Sequence, residues 1–82
     1  MRHRFTRWTQ GLGLRRAVQL KQNADKACEQ QEYETARALY EASLERFQQK
    51  QHWPGMLWVR LGLGYMAYRM QDYPTARAHY AQ

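Results

Sequence analysis

The sequence has one cysteine, two prolines and no acidic residue before Asp25. A lone Cys28 excludes an intramolecular disulfide and any Cys-rich zinc site. It suits a reducing compartment without demanding one. Pro54 and Pro74 leave long stretches of chain unbroken, and the abundance of Ala, Leu, Gln, Arg and Glu favours helix. No apolar run is long enough for a bilayer: the most apolar stretch, MLWVRLGLGYMAY at 56–68, is short and carries Arg60. The basic start is not followed by an apolar h-region, so no secretory signal is expected. A soluble, cytoplasmic protein is the expectation.

The groups that carry chemistry are equally sparse. His3, His52 and His79 are scattered, with no H-x-x-x-H pairing and no carboxylate cluster at metal spacing. Cys28 falls among apolar residues with no histidine near it in sequence, which reads as a structural cysteine rather than a nucleophile. Gly11-Leu12-Gly13 follows no strand and lacks a third glycine, so it is not a dinucleotide site. No enzyme activity, metal or cofactor is expected.

What is present is enough for one small domain. The 82 residues are 44% hydrophobic and 13% aromatic, too apolar for a disordered tail. The net charge of +6 is localised. Residues 1–22 carry Arg2, Arg4, Arg7, Arg15, Arg16 and Lys21 without an acid, whereas residues 23–82 hold seven bases and seven acids. The excess is an N-terminal property, not a property of the body.

Residues 33–40 read YETARALY and residues 73–80 read YPTARAHY, identical at six of eight positions. The match at an offset of forty extends outward: Gln31 with Gln71, Glu32 with Asp72, Ala27 with Ala67, and Ala24 with Gly64. A tandem period of about 20–50 residues is the mark of a solenoid built from repeated supersecondary units. Helical spacing fills in the unit. Ala17, Leu20, Ala24, Ala27 and Cys28 predict a first helix from about Leu14 to about Gln30. Ala36, Leu39, Tyr40, Ser43, Leu44 and Phe47 predict a second from Tyr33. QQKQHWPG at 48–55 is the main break, and Pro54 opens a third helix over 54–70. Gly62 and Gly64 each cost that helix about 1 kcal/mol relative to Ala, which implies a closely approaching neighbouring backbone. Pro74 begins a fourth helix.

These residues resemble the tetratricopeptide repeat. The second unit carries Leu63-Gly64, Asp72-Tyr73, Ala76 and Tyr80 in the family's register. The first carries Glu32-Tyr33, Ala36, Tyr40 and Ser43-Leu44, with Asn23-Ala24 where Leu-Gly would stand. Arg60 takes the usual tryptophan place, with Trp58 nearby. The period of forty exceeds the family's common thirty-four, so the likeness is to a long-repeat variant. The resemblance implies an all-α, right-handed superhelix of two helical hairpins, the second truncated. Residues 1–13 would be a basic arm, and 14–82 the repeat domain, with repeats at about 17–50 and 54–82. Tyr33, Ala36, Tyr40, Gly64, Tyr73, Ala76 and Tyr80 would be structural motif residues.

The resemblance further implies a non-catalytic scaffold or adaptor that binds a peptide or helix of a protein partner. The groove is lined by the first helix of each hairpin. Carried over by register, its residues are Lys21, Asp25, Cys28 and Glu29 on the first helix, and Trp58, Leu61, Tyr65, Tyr68 and Arg69 on the third. Tyr, Trp and Arg dominate binding hot spots. Asp25 stands where the family's carboxylate clamp uses Asn, so no such clamp is expected. Two other readings differ in where function sits. Arg2, Arg4, Arg7, Arg15 and Arg16, interleaved with Phe5 and Trp8, could neutralise phosphates and stack on bases, or lie on anionic lipid or address an organelle. Alternatively, an uncapped C-terminal face could drive self-association or receive further repeats.

Overall fold

The stripe Ala17, Leu20, Ala24, Ala27 and Cys28 is buried along its whole length, on a helix α1 that spans Arg15–Glu29. The structure is a computed structural model in which residues 13–70 are described. Two more helices follow, α2 over Tyr33–Gln49 and α3 over Trp53–Arg69, and no strand occurs among the described residues. Helix α2 packs against both α1 and α3, and α1 also touches α3. The fourth helix expected from Pro74, with Tyr73, Ala76 and Tyr80, lies outside the described residues.

Helix α2 buries Ala36, Tyr40, Ser43 and Phe47, while Leu39 and Leu44 are half-buried at its edges. Glu34 in its first turn and Arg46 in its last both suit the helix dipole. Ser43 is fully buried in this seam, and its hydroxyl donates to the Ala17 carbonyl at 2.7 Å. A buried hydroxyl without that acceptor would be costly, so the bond fixes where α2 lies along α1. Helix α3 starts one residue earlier than Pro54 predicts. His52 is its N-cap, with Nδ1 accepting from the Gly55 backbone N–H at 3.0 Å, and Pro54 occupies the first turn, where a missing N–H leaves nothing unsatisfied.

The two links, 30–32 and 50–52, are built alike. Gln31 and Gln51 have φ of 64° and 52°, the left-handed conformation that ends many helices. Around the first, Gln31 N–H donates to the Cys28 carbonyl at 3.0 Å and Glu32 N–H to Ala27 at 2.9 Å. Around the second, Gln51 N–H donates to Gln48 and His52 N–H to Phe47, both at 3.0 Å. These are paired Schellman closures, and each holds a residue that pays a steric cost glycine would avoid. Gln31→Gly and Gln51→Gly should each raise stability in urea unfolding by about 0.5–1 kcal/mol. Unchanged or lowered midpoints would contradict the turn geometry.

Gly55 and Gly62 of α3 face side-chain rings rather than a neighbouring backbone. A Cβ at Gly62 would lie 2.6 Å from Tyr40 Cε1, and one at Gly55 would run into the Phe47 ring. Tyr40 and Phe47 are two turns apart on α2, as are Gly55 and Gly62 on the antiparallel α3. The two rings therefore seat on the two glycines. This corrects the expectation at Gly62 that a neighbouring backbone comes close, and it gives Gly55, read from sequence as the end of the break and the start of the third helix, a packing role. Phe47 is fully buried and also meets Trp58 edge-on at 6.4 Å.

Candidate functional site

With α3 held to α2 in this way, its face toward α1 leaves a cleft of about 320 Å³. The cleft is lined by Lys21, Asp25, Cys28 and Glu29 from α1, Tyr40 from α2, and Trp58, Leu61, Gly62 and Tyr65 from α3. That volume lies near the bottom of the roughly 300–1,000 Å³ range of small-molecule sites, and is sized for one anchoring side chain.

The floor is a polar network that joins all three helices. Asp25 accepts from Tyr40 Oη on one carboxylate oxygen at 2.5 Å and from Lys21 Nζ on the other at 2.8 Å. The same ammonium lies 4.4 Å from the centre of the Trp58 ring. An ion pair one turn apart on a helix surface contributes little, but Lys21 is 8% exposed and Tyr40 only 1%, so here desolvated groups depend on each other. Lys21, read from sequence as a groove-facing base, is thus a floor residue whose charge is already matched. Above the floor, Leu61 is 45% and Tyr65 48% exposed.

Of the residues assigned to the groove by register, Tyr68 and Arg69 do not line this cleft. Tyr68 is exposed beyond it. Arg69 turns back over Tyr65, with its Nη1 donating to Tyr65 Oη at 3.5 Å and the guanidinium 5.8 Å from the ring centre. That bond and another to Tyr33 raise the pKa of Arg69. Glu29 is exposed at the α1 end. Tyr40 and Gly62 belong to the lining but were absent from the sequence-based groove. The partner of Tyr40, Asp25, is fifteen residues away in sequence, and no helical spacing announces a hydrogen bond across two helices.

Cys28 is buried and unpaired. Burial pushes its thiol up, and Asp25 and Glu29 add to this against the opposing pull of Arg69. A thiol shifted that way is protonated near neutrality and a poor nucleophile. Among the described residues, no three His, Cys, Asp or Glu side chains gather to hold a metal ion, and no helix is long and apolar enough to cross a membrane.

Of the basic arm, Arg2, Arg4 and Arg7 lie outside the described residues. Arg15 and Arg16 are exposed in the first turn of α1. The segment 1–22 is therefore not a separable unit: its last eight residues are the first half of α1, where Ala17, Val18, Leu20 and Lys21 are buried. A cut at residue 23 would remove part of the core along with the charge.

Three antiparallel helices joined by identical turns, with a cleft on the first helix of each hairpin, are the geometry of a helical-repeat array. The family model described as Tetratricopeptide repeat matches residues 15–82. The chain belongs to the tetratricopeptide repeat family. Neither a curated protein nor a solved structure matches it. Tetratricopeptide repeats are protein-interaction modules, generally without catalysis, and the described residues are an all-α solenoid fragment of that kind. Ala36 and Tyr40, expected from the resemblance to be structural motif residues, are 0% and 1% exposed, Tyr40 forming both seam and cleft floor.

The floor also predicts alkaline behaviour. Burial first, and then its bond to Asp25, raises the Tyr40 phenol far above the ordinary tyrosine range. Both it and the Cys28 thiol favour the neutral form when folded. Their contribution is complete below the unfolded pKa values of about 8.5 for Cys and about 10 for Tyr, and is lost as pH rises toward the folded values. Stability of the wild type should therefore fall steadily above about pH 9. Tyr40→Phe should be less stable at pH 7, for want of the hydrogen bond, and should decline more slowly at high pH. Parallel unfolding curves from pH 7 to 11 for the two proteins would contradict the neutral buried phenol.

Proposed function

We propose that this tetratricopeptide-repeat chain is an adaptor that holds a peptide or helix of a partner protein in the cleft between α1 and α3. The partner's apolar anchor side chain would enter between Trp58, Leu61 and Tyr65. Lys21, Asp25, Cys28 and Glu29 would form the opposite wall, with Tyr68 and Arg69 continuing the contact along α3. The observation that carries the reading is the contrast within the cleft. Its charged floor is internally satisfied by Lys21, Asp25 and Tyr40, while two large side chains, Leu61 and Tyr65, stand half-exposed above it. A rigid, self-satisfied floor under exposed aromatic and aliphatic residues is what an interaction hot spot needs, because docking then desolvates apolar surface without stripping a charge of its partner.

The test is chemical crosslinking of wild type and Leu61→Ala/Tyr65→Ala in native lysate, followed by nuclease treatment and identification of captured proteins. Both side chains are exposed, so the variant should melt with the wild type and lose the crosslinked partners. Retention of the same partners would remove the cleft from consideration. Partners that disappear with nuclease, or with deletion of residues 1–12 alone, would transfer the function to the basic segment.

A further inference from the structure

The two walls of the cleft differ in chemistry, and the difference says what kind of partner they fit. The α3 wall is apolar, with Leu61 and Tyr65 half-exposed at its rim. The α1 wall is charged. Among the described residues that line the cleft are two acids, Asp25 and Glu29, and one base, Lys21. The base is already engaged: Lys21 is buried, one Asp25 oxygen holds its ammonium at 2.8 Å, and the Trp58 ring lies beneath it. The Asp25 carboxylate keeps capacity. Its two oxygens accept one bond each, from Tyr40 and Lys21, so about half of its roughly four lone-pair sites are left, and its side chain is 40% exposed. Glu29 is exposed one turn further on, as the last residue of α1, where the helix dipole adds negative potential. Arg69 lies outside the lining and is bonded to Tyr65 and Tyr33. An incoming carboxylate would meet two acids and a base in use, whereas a cation would meet acceptors.

Resting on the cleft's role as a partner site, we propose that the segment it holds is basic: an aliphatic or aromatic anchor with an arginine or lysine close beside it. The anchor packs on Leu61 and Tyr65, and the cation reaches Asp25 and Glu29. Those acids stand four residues apart on one helix, hence about 6 Å along its axis. Two residues of an extended peptide, or one turn of a helical one, cover that span. The long stem of Arg or Lys suits the crossing, since it packs on apolar surface while its head stays with the acids. The net charge of +6 does not oppose such a partner. Arg15 and Arg16 are at the other end of α1, about 20 Å from Glu29 along the axis, and at physiological salt charges are screened beyond about 8 Å. The acids at the cleft therefore set the local field.

The probe is a phage-displayed library of random peptides, panned at low salt on the full chain, on Leu61→Ala/Tyr65→Ala and on Glu29→Lys. All three positions are exposed, so folding should be kept, which circular dichroism checks. Wild type should select peptides with an apolar anchor and an Arg or Lys within one turn of it, and Leu61→Ala/Tyr65→Ala should not recover them. A synthetic peptide of the selected sequence should bind Glu29→Lys about fivefold more weakly than wild type, a difference that shrinks with added salt. The same peptide with Gln in place of its basic residue should not distinguish the two proteins. Peptides that need Leu61 and Tyr65 but carry no base at that spacing, or that bind Glu29→Lys as tightly as wild type, overturn this proposal and leave the cleft a partner site. Peptides recovered equally on Leu61→Ala/Tyr65→Ala, or no selection at all, remove the cleft as a partner site and this proposal with it. Self-association in sedimentation that is lost in Leu61→Ala/Tyr65→Ala would make a second copy the occupant, and would overturn it too.

Discussion

Phe47→Ala is expected to destabilise the chain by about 3–5 kcal/mol, the range for removing a large buried aromatic ring. Phe47 has no exposed surface. Its ring lies on Gly55, 6.4 Å from the Trp58 ring centre and 5.6 Å from that of His52, so its loss opens a cavity where α2 meets the start of α3. Small domains have only about 5–15 kcal/mol in total, so urea unfolding should begin at or near zero denaturant. Gly55→Ala probes the same contact from the other side. On helix propensity alone it should stabilise by about 1 kcal/mol. A methyl group driven into a fully buried ring should instead cost about 1–3 kcal/mol. The expected sign is therefore destabilising, with partial recovery when Phe47→Leu is added. A Gly55→Ala protein as stable as wild type would mean that the ring does not seat there.

Asp25→Ala is expected to cost about 2–3 kcal/mol. Two buried groups are stranded by the change. The Tyr40 hydroxyl loses its acceptor, at about 1–3 kcal/mol for an unsatisfied buried donor. Lys21 loses its counter-charge, and this part is smaller because the Asp25 side chain is 40% exposed and solvent softens the pairing. Asp25→Asn separates the two terms, since an amide oxygen still accepts from Tyr40 while the charge is gone. Its cost should fall between wild type and Asp25→Ala. Equal stability of all three proteins in chemical unfolding would show that the network is incidental to holding α1, α2 and α3 together.

Much of the fold was legible in the sequence, for a physical reason. Helical periodicity is a local signal, and the alanines at positions 17, 24, 27 and 36 mark approach faces that any antiparallel helix pair needs. The doubled TAR-A motif then tied those helices into repeats. The turns were harder to read. Gln31 and Gln51 adopt a conformation usually announced by glycine, and nothing in a glutamine advertises it. Gly55 fell where the 48–55 break overlaps the helix expected over 54–70, and nothing in that pattern marked it as the seat of the Phe47 ring. The site was legible by register but not in its energetics. Register placed Lys21 and Asp25 one turn apart on the groove side, without indicating that Tyr40 completes the set or that Trp58 takes the ammonium on its face. Those are contacts between helices, and they depend on how far α3 slides along α2, which the ring-on-glycine seats set.

The shape of the cleft therefore rests on those two seats, and one spectrum reports on both. In a proton NOESY experiment on the folded chain, the Gly62 Hα protons should show cross-peaks to the Tyr40 ring, and the Gly55 Hα protons to the Phe47 ring. Both pairs should be moved away from random-coil shifts by the currents of the rings they touch. Glycine Hα protons at random-coil shifts, with no cross-peaks to either ring, would mean that α3 lies elsewhere on α2, and the cleft over Lys21, Asp25 and Tyr40 would not exist as described.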